Sequence, residues 1–282
     1  MEVTQTRAAL QESLAKLKKA GSTVALVPTM GALHDGHISL INEAKKEADI
    51  VVCSIFVNPT QFTDPKDLEK YPRPLEHDIN MLKKAGCDVV FMPSVKEMYP
   101  DFPKPEDWYI DLGEAEFLLE GEFRKGHYQG VTQIVYKLFK VVEPDIALFG
   151  QKDFQQVLMI KTMVQKLDLP VKIITCPIIR EKEGLAMSSR NVHLSEKDRK
   201  NALVLSRSLQ YIKDNYNTLD INALLEQAKQ MIIATEHVEL DYLTIANGET
   251  LHPLKQKALK NVVALVAAKV GETRLIDNMI IN

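Results

Sequence analysis

Short apolar runs alternate with amphipathic segments along the first two thirds of the chain. Five runs are apolar almost throughout, and they predict strands at 23–27, 50–57, 88–92, 146–149 and 171–176. The segments between them have apolar residues at helical spacing, and they predict helices at 38–48, 75–85, 131–142 and 154–167. Strands that are continuously apolar are typical of parallel sheets with helices on both faces. The alternation therefore predicts an α/β fold built on a doubly wound parallel sheet.

The pattern changes after Arg180. Two amphipathic segments and three apolar runs follow, and they predict helices at 196–216 and 221–236 and strands at 238–246, 261–269 and 273–281. We therefore predict two domains, a larger one at 1–178 and a smaller α+β domain at 179–282.

The N-terminal segment and the segment 93–130 stand outside the alternation. Leu10, Leu14 and Leu17 lie at helical spacing and predict a charged N-terminal helix, with Gly21 as its C-terminal cap. Residues 93–130 are irregular and hold several prolines and the only tryptophan. Because long irregular insertions usually serve a function, we expect a functional loop or a subunit contact there.

Composition narrows the class of protein. A chain of 282 residues with 45% hydrophobic and 26% charged residues is long enough for a full core and two domains. Its formal net charge of −3 argues against a general nucleic-acid binder, which usually has a basic surplus. The longest apolar run, 50–57, is too short to span a bilayer, and the N-terminal segment lacks a signal-peptide core. We expect a cytoplasmic protein without a membrane or nucleic-acid partner.

The three cysteines, Cys53, Cys87 and Cys176, lie far apart and match no metal-binding spacing. Cys53 and Cys176 fall inside predicted strands. We therefore expect buried, reduced thiols.

Polar or glycine residues follow several of the predicted strands directly. The residues in these positions are His34, Asn58, Gln61, Gly150 and Lys152. In an open parallel sheet the carboxyl ends of the strands meet at one edge, where ligands bind. We therefore expect these residues along a common edge.

The first chemical motif is the segment Met30-Gly31-Ala32-Leu33-His34-Asp35-Gly36-His37. Residues three apart lie on one face of a helix, so the rings of His34 and His37 are expected to point at the same ligand. Gly31 and Gly36 let the backbone approach a phosphate, and a helix N-terminus attracts negative charge. Two alternatives are a solvated or core histidine and a zinc site, although no nearby Cys, His or Glu completes a zinc site.

Two further polar segments follow strand ends. In Asn58-Pro59-Thr60-Gln61-Phe62, a side-chain amide would bind a hydroxyl or a carboxylate, and a simple polar turn is the alternative. In Gly150-Gln151-Lys152-Asp153-Phe154-Gln155-Gln156, Lys152 would contact phosphates and Asp153 would accept from ribose hydroxyls, while Gln156 lies one turn into the helix. The alternative for Asp153 is a helix cap.

The last chemical motif is Met187-Ser188-Ser189-Arg190-Asn191. Its hydroxyls and guanidinium are donors that suit phosphate oxygens, although Ser-Ser-Arg in isolation is a common solvated loop. Together with the histidine motif, and in this order, it resembles the HIGH and KMSKS signatures of nucleotidyl-transferring α/β enzymes, which bind ATP and attack its α-phosphate. We expect the loop to close over ATP and bring Arg190 to the phosphates.

The chain resembles the pantoate–β-alanine ligase family nearly from end to end. The segments that carry the resemblance are Val27-Pro28-Thr29-Met30-Gly31, Phe56-Val57-Asn58-Pro59-Thr60-Gln61-Phe62, Phe149-Gly150-Gln151-Lys152-Asp153-Phe154-Gln155-Gln156 and Ala186-Met187-Ser188-Ser189-Arg190-Asn191. The resemblance implies ATP-dependent ligation of (R)-pantoate and β-alanine through a pantoyl adenylate, with release of AMP and pyrophosphate. It also implies a Rossmann-like N-terminal domain, a C-terminal lid, a homodimer and dependence on Mg²⁺, whose ligands stay unknown.

The resemblance also implies the site residues. Pantoate binding falls on Gln61 and Gln156, and β-alanine binding on Gln61. The implied ATP-binding residues are Met30, Gly31, Ala32, Leu33, His34, Asp35, Gly36, His37, Gly150, Gln151, Lys152, Asp153, Ile179, Met187, Ser188, Ser189 and Arg190.

The proposed chemistry assigns roles to four cationic or imidazole side chains. Joining a carboxylate to an amine requires activation, and attack on the α-phosphate brings two anions together. Charge stabilisation is therefore the main demand, which His34, Lys152 and Arg190 would meet together with Mg²⁺. The family's proton donor falls on His37. We expect a hydrogen bond from His37 to the phosphates instead, because a carboxylate nucleophile carries no proton.

Two other functions compete with ligation. A nucleotidyltransferase of the same superfamily would leave the nucleotide on its product and would not need Gln61 and Gln156. A non-catalytic nucleotide-binding regulator would not need to keep Lys152 and Arg190. A tRNA-charging enzyme is disfavoured, because no basic surface is evident from the sequence.

Overall fold

The structure is a computed structural model that describes residues 1–19 and 21–282. The described chain divides into two compact units. The first comprises Met1–Gly150 and Gln156–Cys176, and the second comprises Gln151–Gln155 and Pro177–Asn282.

The first unit contains a six-stranded sheet. Its strands are β1 (Glu2–Thr4), β2 (Val24–Thr29), β3 (Ile50–Ile55), β4 (Val89–Phe91), β5 (Ile146–Gly150) and β6 (Lys172–Cys176). Their order across the sheet is β1-β4-β3-β2-β5-β6, and every neighbouring pair is parallel. The predicted α/β fold with a parallel sheet is confirmed.

Strand β1 departs from the sequence prediction, which has only a helix near the N-terminus. Glu2–Thr4 pairs with β4, so that Glu2 lies opposite Val89. The strand has three residues and lies at the edge of the sheet. So short a segment has no periodicity from which a strand could be predicted.

Eight helices of the described chain follow or connect these strands. They are α1 (Arg7–Leu17), α2 (Asp35–Glu47), α3 (Pro65–Lys70), α4 (Leu75–Ala85), α5 (Val95–Met98), α6 (Glu120–Phe123), α7 (His127–Val142) and α8 (Phe154–Lys166). In the part of the chain that the structure describes, no helix has both the length and the apolar character needed to cross a membrane.

Helix ends differ from the predictions more than helix positions do. The predicted cap at Gly21 is wrong, because α1 ends at Leu17 and the backbone becomes extended at Lys18, whose N–H donates to Leu14 O at 2.8 Å. Helices α2 and α7 begin three and four residues earlier than predicted, at Asp35 and His127. Both early turns are polar and contain glycine, so the apolar periodicity does not mark them.

Both faces of the parallel sheet are covered. One cluster of buried residues contains Leu26 and Phe91 together with residues of α1, α7 and α8. The other cluster contains Val27, which follows Leu26, and Val90, which precedes Phe91, together with residues of α2 and α4. Because neighbouring strand residues point to opposite faces, this division is that of a doubly wound sheet.

The three cysteines are buried and free, as predicted. Burial raises the pKa of the Cys87 thiol to about 12 and that of Cys176 to about 11. Both thiols therefore stay protonated near neutral pH, which suits a packing role.

The second unit has the predicted α+β composition. Its long elements are α9 (Glu196–Asn215), α10 (Ile221–Ile233), β7 (Val238–Asn247), β8 (Val262–Val270) and β9 (Thr273–Ile280). The strands form an antiparallel sheet in the order β7-β8-β9. Buried residues of both helices and of the sheet form one core cluster.

The part of the segment 93–130 that precedes α7 packs on that helix. The Gln129 side chain accepts the Ile110 N–H at 3.1 Å and donates to Ile110 O at 2.9 Å. The Trp108 indole donates to the Thr132 hydroxyl at 3.3 Å. The segment is thus fixed to a helix of its own unit, and its role as a functional loop or subunit contact stays a prediction.

Helix α7 approaches the turn Pro59–Gln61 at Gly130. A Cβ atom on Gly130 would lie 2.3 Å from the Thr60 carbonyl oxygen and 2.8 Å from the Gln61 Cα. A Cβ atom does not approach other heavy atoms so closely, so any larger residue would push the helix and the turn apart. Gly130 therefore sets the distance between α7 and the turn that carries Gln61.

Gly130→Ala is expected to lower the free energy of unfolding by about 1–3 kcal/mol, because the added methyl group overlaps the Thr60 carbonyl. Helix propensity alone would raise the free energy of unfolding of the alanine variant by about 1 kcal/mol. A measured decrease would therefore show that the overlap with Thr60 outweighs the gain in helix propensity. Gly150→Ala is the control, since a Cβ there meets nothing within 4 Å. Urea unfolding followed by circular dichroism measures both variants. A Gly130→Ala protein as stable as the control would contradict the close approach.

Candidate active site

The turn between β2 and α2 has an unusual backbone conformation. Gly31 and Ala32 both have positive φ, at +82° and +51°. A Cβ on Gly31 would also lie 3.0 Å from an Asp78 carboxylate oxygen and 3.0 Å from Ile55 Cγ2. Both the φ angle and the lack of space call for glycine at position 31.

A buried carboxylate holds this turn. Asp78, on α4, accepts the N–H of Ala32 at 2.8 Å and the N–H of Leu33 at 2.7 Å. Burial raises the pKa of the Asp78 carboxyl, and the two backbone N–H groups oppose that rise. Sequence reasoning missed Asp78, because its neighbours Glu76 and His77 are also polar and nothing in the pattern singles it out.

The two histidines form a reciprocal cap at the start of α2. The His34 Nδ1 accepts the Gly36 N–H at 3.2 Å, and the His37 Nδ1 accepts the His34 N–H at 3.3 Å. The ring centroids lie 4.1 Å apart. The expectation that the rings lie together is confirmed, but its reason is corrected. His34 has extended backbone and precedes the helix, so capping rather than a shared helical face brings the rings together.

This geometry fixes where the imidazole protons lie. A nitrogen that accepts a hydrogen bond carries no proton, so the neutral rings of His34 and His37 carry theirs on Nε2. Two imidazole N–H donors thus accompany the first turn of a helix, where backbone N–H groups and the helix dipole favour negative charge. The arrangement suits an anion such as a phosphate group.

Among the described residues, no further metal-binding side chain joins His34 and His37 to form the alternative zinc site. Among residues 1–19 and 21–282, no three or more His, Cys, Asp or Glu side chains are grouped so as to hold a metal ion. Both Nδ1 atoms of the histidine pair are also occupied by backbone N–H groups.

Gln61 lies beside the histidine turn and is held by Asn58. The Asn58 amide, which is 1% exposed, donates to Gln61 Oε1 at 3.1 Å and to Gly130 O at 3.1 Å. Gln61 Nε2 in turn lies 3.1 Å from the sulfur of Met30. Asn58 therefore fixes which end of the Gln61 amide is the donor, and the structure brings Gln61 to the first motif.

Two residues that the sequence did not indicate support this amide pair. Tyr99 donates its hydroxyl hydrogen to Asn58 Oδ1 at 2.9 Å, and burial raises the Tyr99 pKa to about 12. His127 Nδ1 lies 2.8 Å from the backbone oxygen of Gln61. The partners in these two contacts lie 41 and 66 positions apart in the sequence, so no local pattern could reveal them.

In the first unit, polar residues follow the carboxyl ends of neighbouring strands, as expected. The strands β3, β2 and β5 are parallel neighbours, and their carboxyl ends lead to Asn58 and Gln61, to His34, and to Gly150. Gln156 lies in the first turn of α8 and is partly buried. Lys152 belongs to the second unit, as do Gln151 and Asp153, which form a 3-10 turn with it.

The second motif follows a hairpin in the second unit. Arg180 and Ala186 form an antiparallel bridge, and Met187 donates its N–H to Ile179 O at 3.0 Å. Ser188 then caps a 3-10 turn, Ser189–His193, by accepting the Arg190 N–H at 3.3 Å. Ile179 and Met187 therefore lie side by side, and their role in binding ATP stays a prediction.

Asn191 anchors the end of the motif. Its side-chain amide, in a residue 4% exposed, donates to Ala186 O and Glu181 Oε1, both at 3.0 Å. Arg199 donates to Asn191 O at 3.0 Å. The segment from Met187 to Asn191 is therefore a defined turn in which Ser189 and Arg190 are only partly buried.

The chain is similar to known proteins over nearly its whole length. The family described as pantoate-beta-alanine ligase matches residues 2–280. A pantothenate synthetase of Acetivibrio thermocellus is 46% identical over 283 residues, covering 100% of this chain and 99% of the relative. One from Porphyromonas gingivalis is 45% identical, with 99% of each chain covered.

Solved structures are similar over the same length. The crystal structure of pantothenate synthetase from Thermus thermophilus has a TM-score of 0.92 and 40% identity, with 99% of each chain covered. That of pantoate-beta-alanine ligase from Francisella tularensis, complexed with beta-gamma ATP and beta-alanine, has a TM-score of 0.80 and 35% identity, covering 99% of this chain and 97% of that one. The match of sequence and fold over the whole chain shows that this protein is an enzyme and belongs to the pantoate–β-alanine ligase family.

Proposed function

We propose that the protein joins (R)-pantoate to β-alanine in two steps, through a pantoyl adenylate. In the first step a pantoate carboxylate oxygen attacks the α-phosphate of ATP and pyrophosphate leaves. In the second the β-alanine amine attacks the acyl carbon and AMP leaves. The product is pantothenate, a precursor of coenzyme A. The observation that carries this proposal is the histidine cap on α2, which brings two imidazole rings together at a helix N-terminus.

The nature of the relatives supports the choice of substrates. The Francisella ligase binds beta-gamma ATP and beta-alanine, and it shares the fold of this chain over nearly its whole length. Gln61 and Gln156 supply amide groups for pantoate in the same unit as the histidines. A nucleotidyltransferase that keeps the nucleotide on its product would have no need for the Asn58–Gln61 amide pair.

Four side chains stabilise charge in this proposal. His34 and His37 donate from Nε2 to phosphate oxygens, because their Nδ1 atoms accept from the backbone. Lys152 and Arg190 add positive charge to the same phosphates. His37 acts as a hydrogen-bond donor rather than as a source of a proton, since neither nucleophile nor pyrophosphate requires one in the first step.

The remaining contacts divide between ATP and the organic substrates. Gln61 donates from Nε2 to a carboxylate or hydroxyl of pantoate, and later contacts β-alanine, while Gln156 contacts pantoate. The ATP contacts come from Met30, Gly31, Ala32, Leu33, Asp35, Gly36, Gly150, Gln151, Asp153, Ile179, Met187, Ser188 and Ser189 in addition to the four charge-stabilising residues.

Mg²⁺ is part of this proposal and would bind together with ATP. Mg²⁺ is usually held by substrate phosphates and one or two carboxylates rather than by a cage of protein ligands. A single carboxylate would suffice for that mode, and Asp35 is exposed in the first turn of α2. Asp35 is the carboxylate we assign to the ion. When bound, Mg²⁺ neutralises phosphate charge.

Membership of the ligase family also supports a proposal about the domains and the assembly of the protein. Residues 1–178 would bind pantoate and much of ATP, and residues 179–282 would act as a lid that carries the Met187–Arg190 contacts. We also propose a homodimer in the cytoplasm.

Pantoate alone should support exchange of labelled pyrophosphate into ATP, because adenylation needs no amine. The expected result is full exchange without β-alanine, followed by release of AMP and pantothenate when β-alanine is added. Exchange that strictly required β-alanine would refute the two-step scheme. A product that retained the nucleotide would favour the nucleotidyltransferase alternative, and ATP binding without turnover would favour a regulator.

Variants of His34 and Gln61 should separate phosphate contacts from pantoate contacts. His34→Ala is expected to slow exchange about 10²-fold or more, as for the loss of a preorganised donor. Gln61→Glu keeps the size of the side chain but replaces its donor with a negative charge, so the KM for pantoate should rise more than the KM for ATP. Gln133→Ala removes another buried glutamine of the same unit and is the control. An equal rise in both KM values for Gln61→Glu would count against the assignment.

A further inference from the structure

Two adjacent polar residues are buried in the edge strand of the second unit. Asp277 and Asn278 are 4% and 2% exposed, and they lie between the apolar residues Ile276 and Met279 of β9. Burial of polar groups costs free energy unless they form hydrogen bonds. The hydrogen-bond partners of Asp277 and Asn278 therefore explain why polar residues occupy these buried positions.

The side chain of Asn278 is bonded to the turn that carries Lys152. Its amide nitrogen donates to Gln151 O at 3.0 Å and to Lys152 O at 2.9 Å. Its amide oxygen accepts from Gln151 Nε2 at 3.1 Å. One side chain thus holds the backbone of both residues in that turn.

Asp277 is bonded to the hairpin that leads into the second motif. It accepts from Arg180 in a bidentate pair, from Nη1 at 2.6 Å and from Nη2 at 2.9 Å. Arg180 also donates to Gly184 O at 3.1 Å, across the hairpin. Asp277 and Asn278 are further joined to each other, because the Asn278 N–H donates to Asp277 Oδ1 at 2.8 Å.

We infer that Asp277 and Asn278 are positioning residues, which fix the Lys152 turn and the Arg180 hairpin at adjacent points of one strand. Lys152 and Arg190 lie far apart in the chain, so neither segment can fix the position of the other locally. The pair on β9 gives both a common anchor within one compact unit. This inference rests on the proposed function, in which both segments contact the phosphates of ATP.

The consequence concerns the rate of adenylation more than the binding of pantoate. A displaced Lys152 still carries its charge, but it no longer meets the phosphate at the right distance when charge develops. Small displacements of catalytic groups have large effects on rate. Loss of the Asn278 bonds should therefore lower the turnover of the exchange reaction while the KM for pantoate stays nearly constant.

The test is a double-mutant cycle between Asn278 and Lys152. Asn278→Asp keeps the shape of the side chain but places a carboxylate oxygen against two carbonyl oxygens, and Asn278→Ala removes the bonds without that repulsion. Pyrophosphate exchange with pantoate is measured for each single variant, for Lys152→Ala and for the double variants. Asp241→Asn is the control, because it weakens a different partly buried side-chain contact, to Arg274, in the same sheet. Thermal unfolding of every variant is measured alongside.

We expect each Asn278 variant to slow exchange about 10-fold or more at saturating substrates, with a melting temperature near that of Asp241→Asn. In the Lys152→Ala background the same changes should have an effect of about twofold at most, because the residue they act through is already gone. Effects that multiply in the double variants would overturn the inference, as would normal exchange by both Asn278 variants. If Asn278→Asp does not fold, the Asn278→Ala cycle decides. Absence of pantoate-dependent exchange in the unaltered chain would instead refute the proposed function.

Discussion

The carboxylate of Asp78 and the backbone of the β2–α2 turn form the interaction on which the candidate site depends. The turn leaves β2 with two successive residues at positive φ, and such a backbone needs support from its surroundings. Asp78 gives that support by accepting two N–H groups in a buried place. Once the turn is fixed, the position of His34 before α2 follows, and with it the reciprocal cap that sets both rings.

A buried side chain also holds two of the other polar segments in place. Asn58 orients Gln61, and Asn278 holds the Lys152 turn, in both cases from a buried position. These residues are amides, which provide donor and acceptor together and carry no charge to be desolvated. These two segments are therefore held by neutral amides, whereas the β2–α2 turn is held by the carboxylate of Asp78.

Much of the fold could be predicted because its strands and helices carry their own local signal. The apolar strands β2, β3 and β5 and the helix α9 are long enough to show a pattern, and the order of elements then indicates a parallel sheet. The strand β1 could not be predicted, since its three residues gain stability only from pairing with β4. The early first turns of α2 and α7 were missed because capping, not apolar periodicity, determines where they begin.

The residues of the candidate site also divide into those that have a local sequence signal and those that do not. His34 and Gln61 could be singled out because they follow strand ends in recognisable motifs. Asp78 and Asn278 could not, since each is defined by hydrogen bonds to residues 45 or more positions away. Gly130 is a similar case, because only the approach of α7 to Thr60 explains it. The motifs therefore carry a local signal, and the residues that hold them in place do not.

The protonation of the two imidazoles tests the central claim, that the β2–α2 turn sets both rings through the reciprocal cap. Nitrogen-15 NMR of histidine-labelled, ligand-free protein at about pH 8, where an ordinary imidazole is neutral, distinguishes the two tautomers of each ring. The reciprocal cap predicts that His34 and His37 both carry the proton on Nε2. A proton on Nδ1 of either ring would show that this ring does not accept its backbone N–H, and would contradict the account.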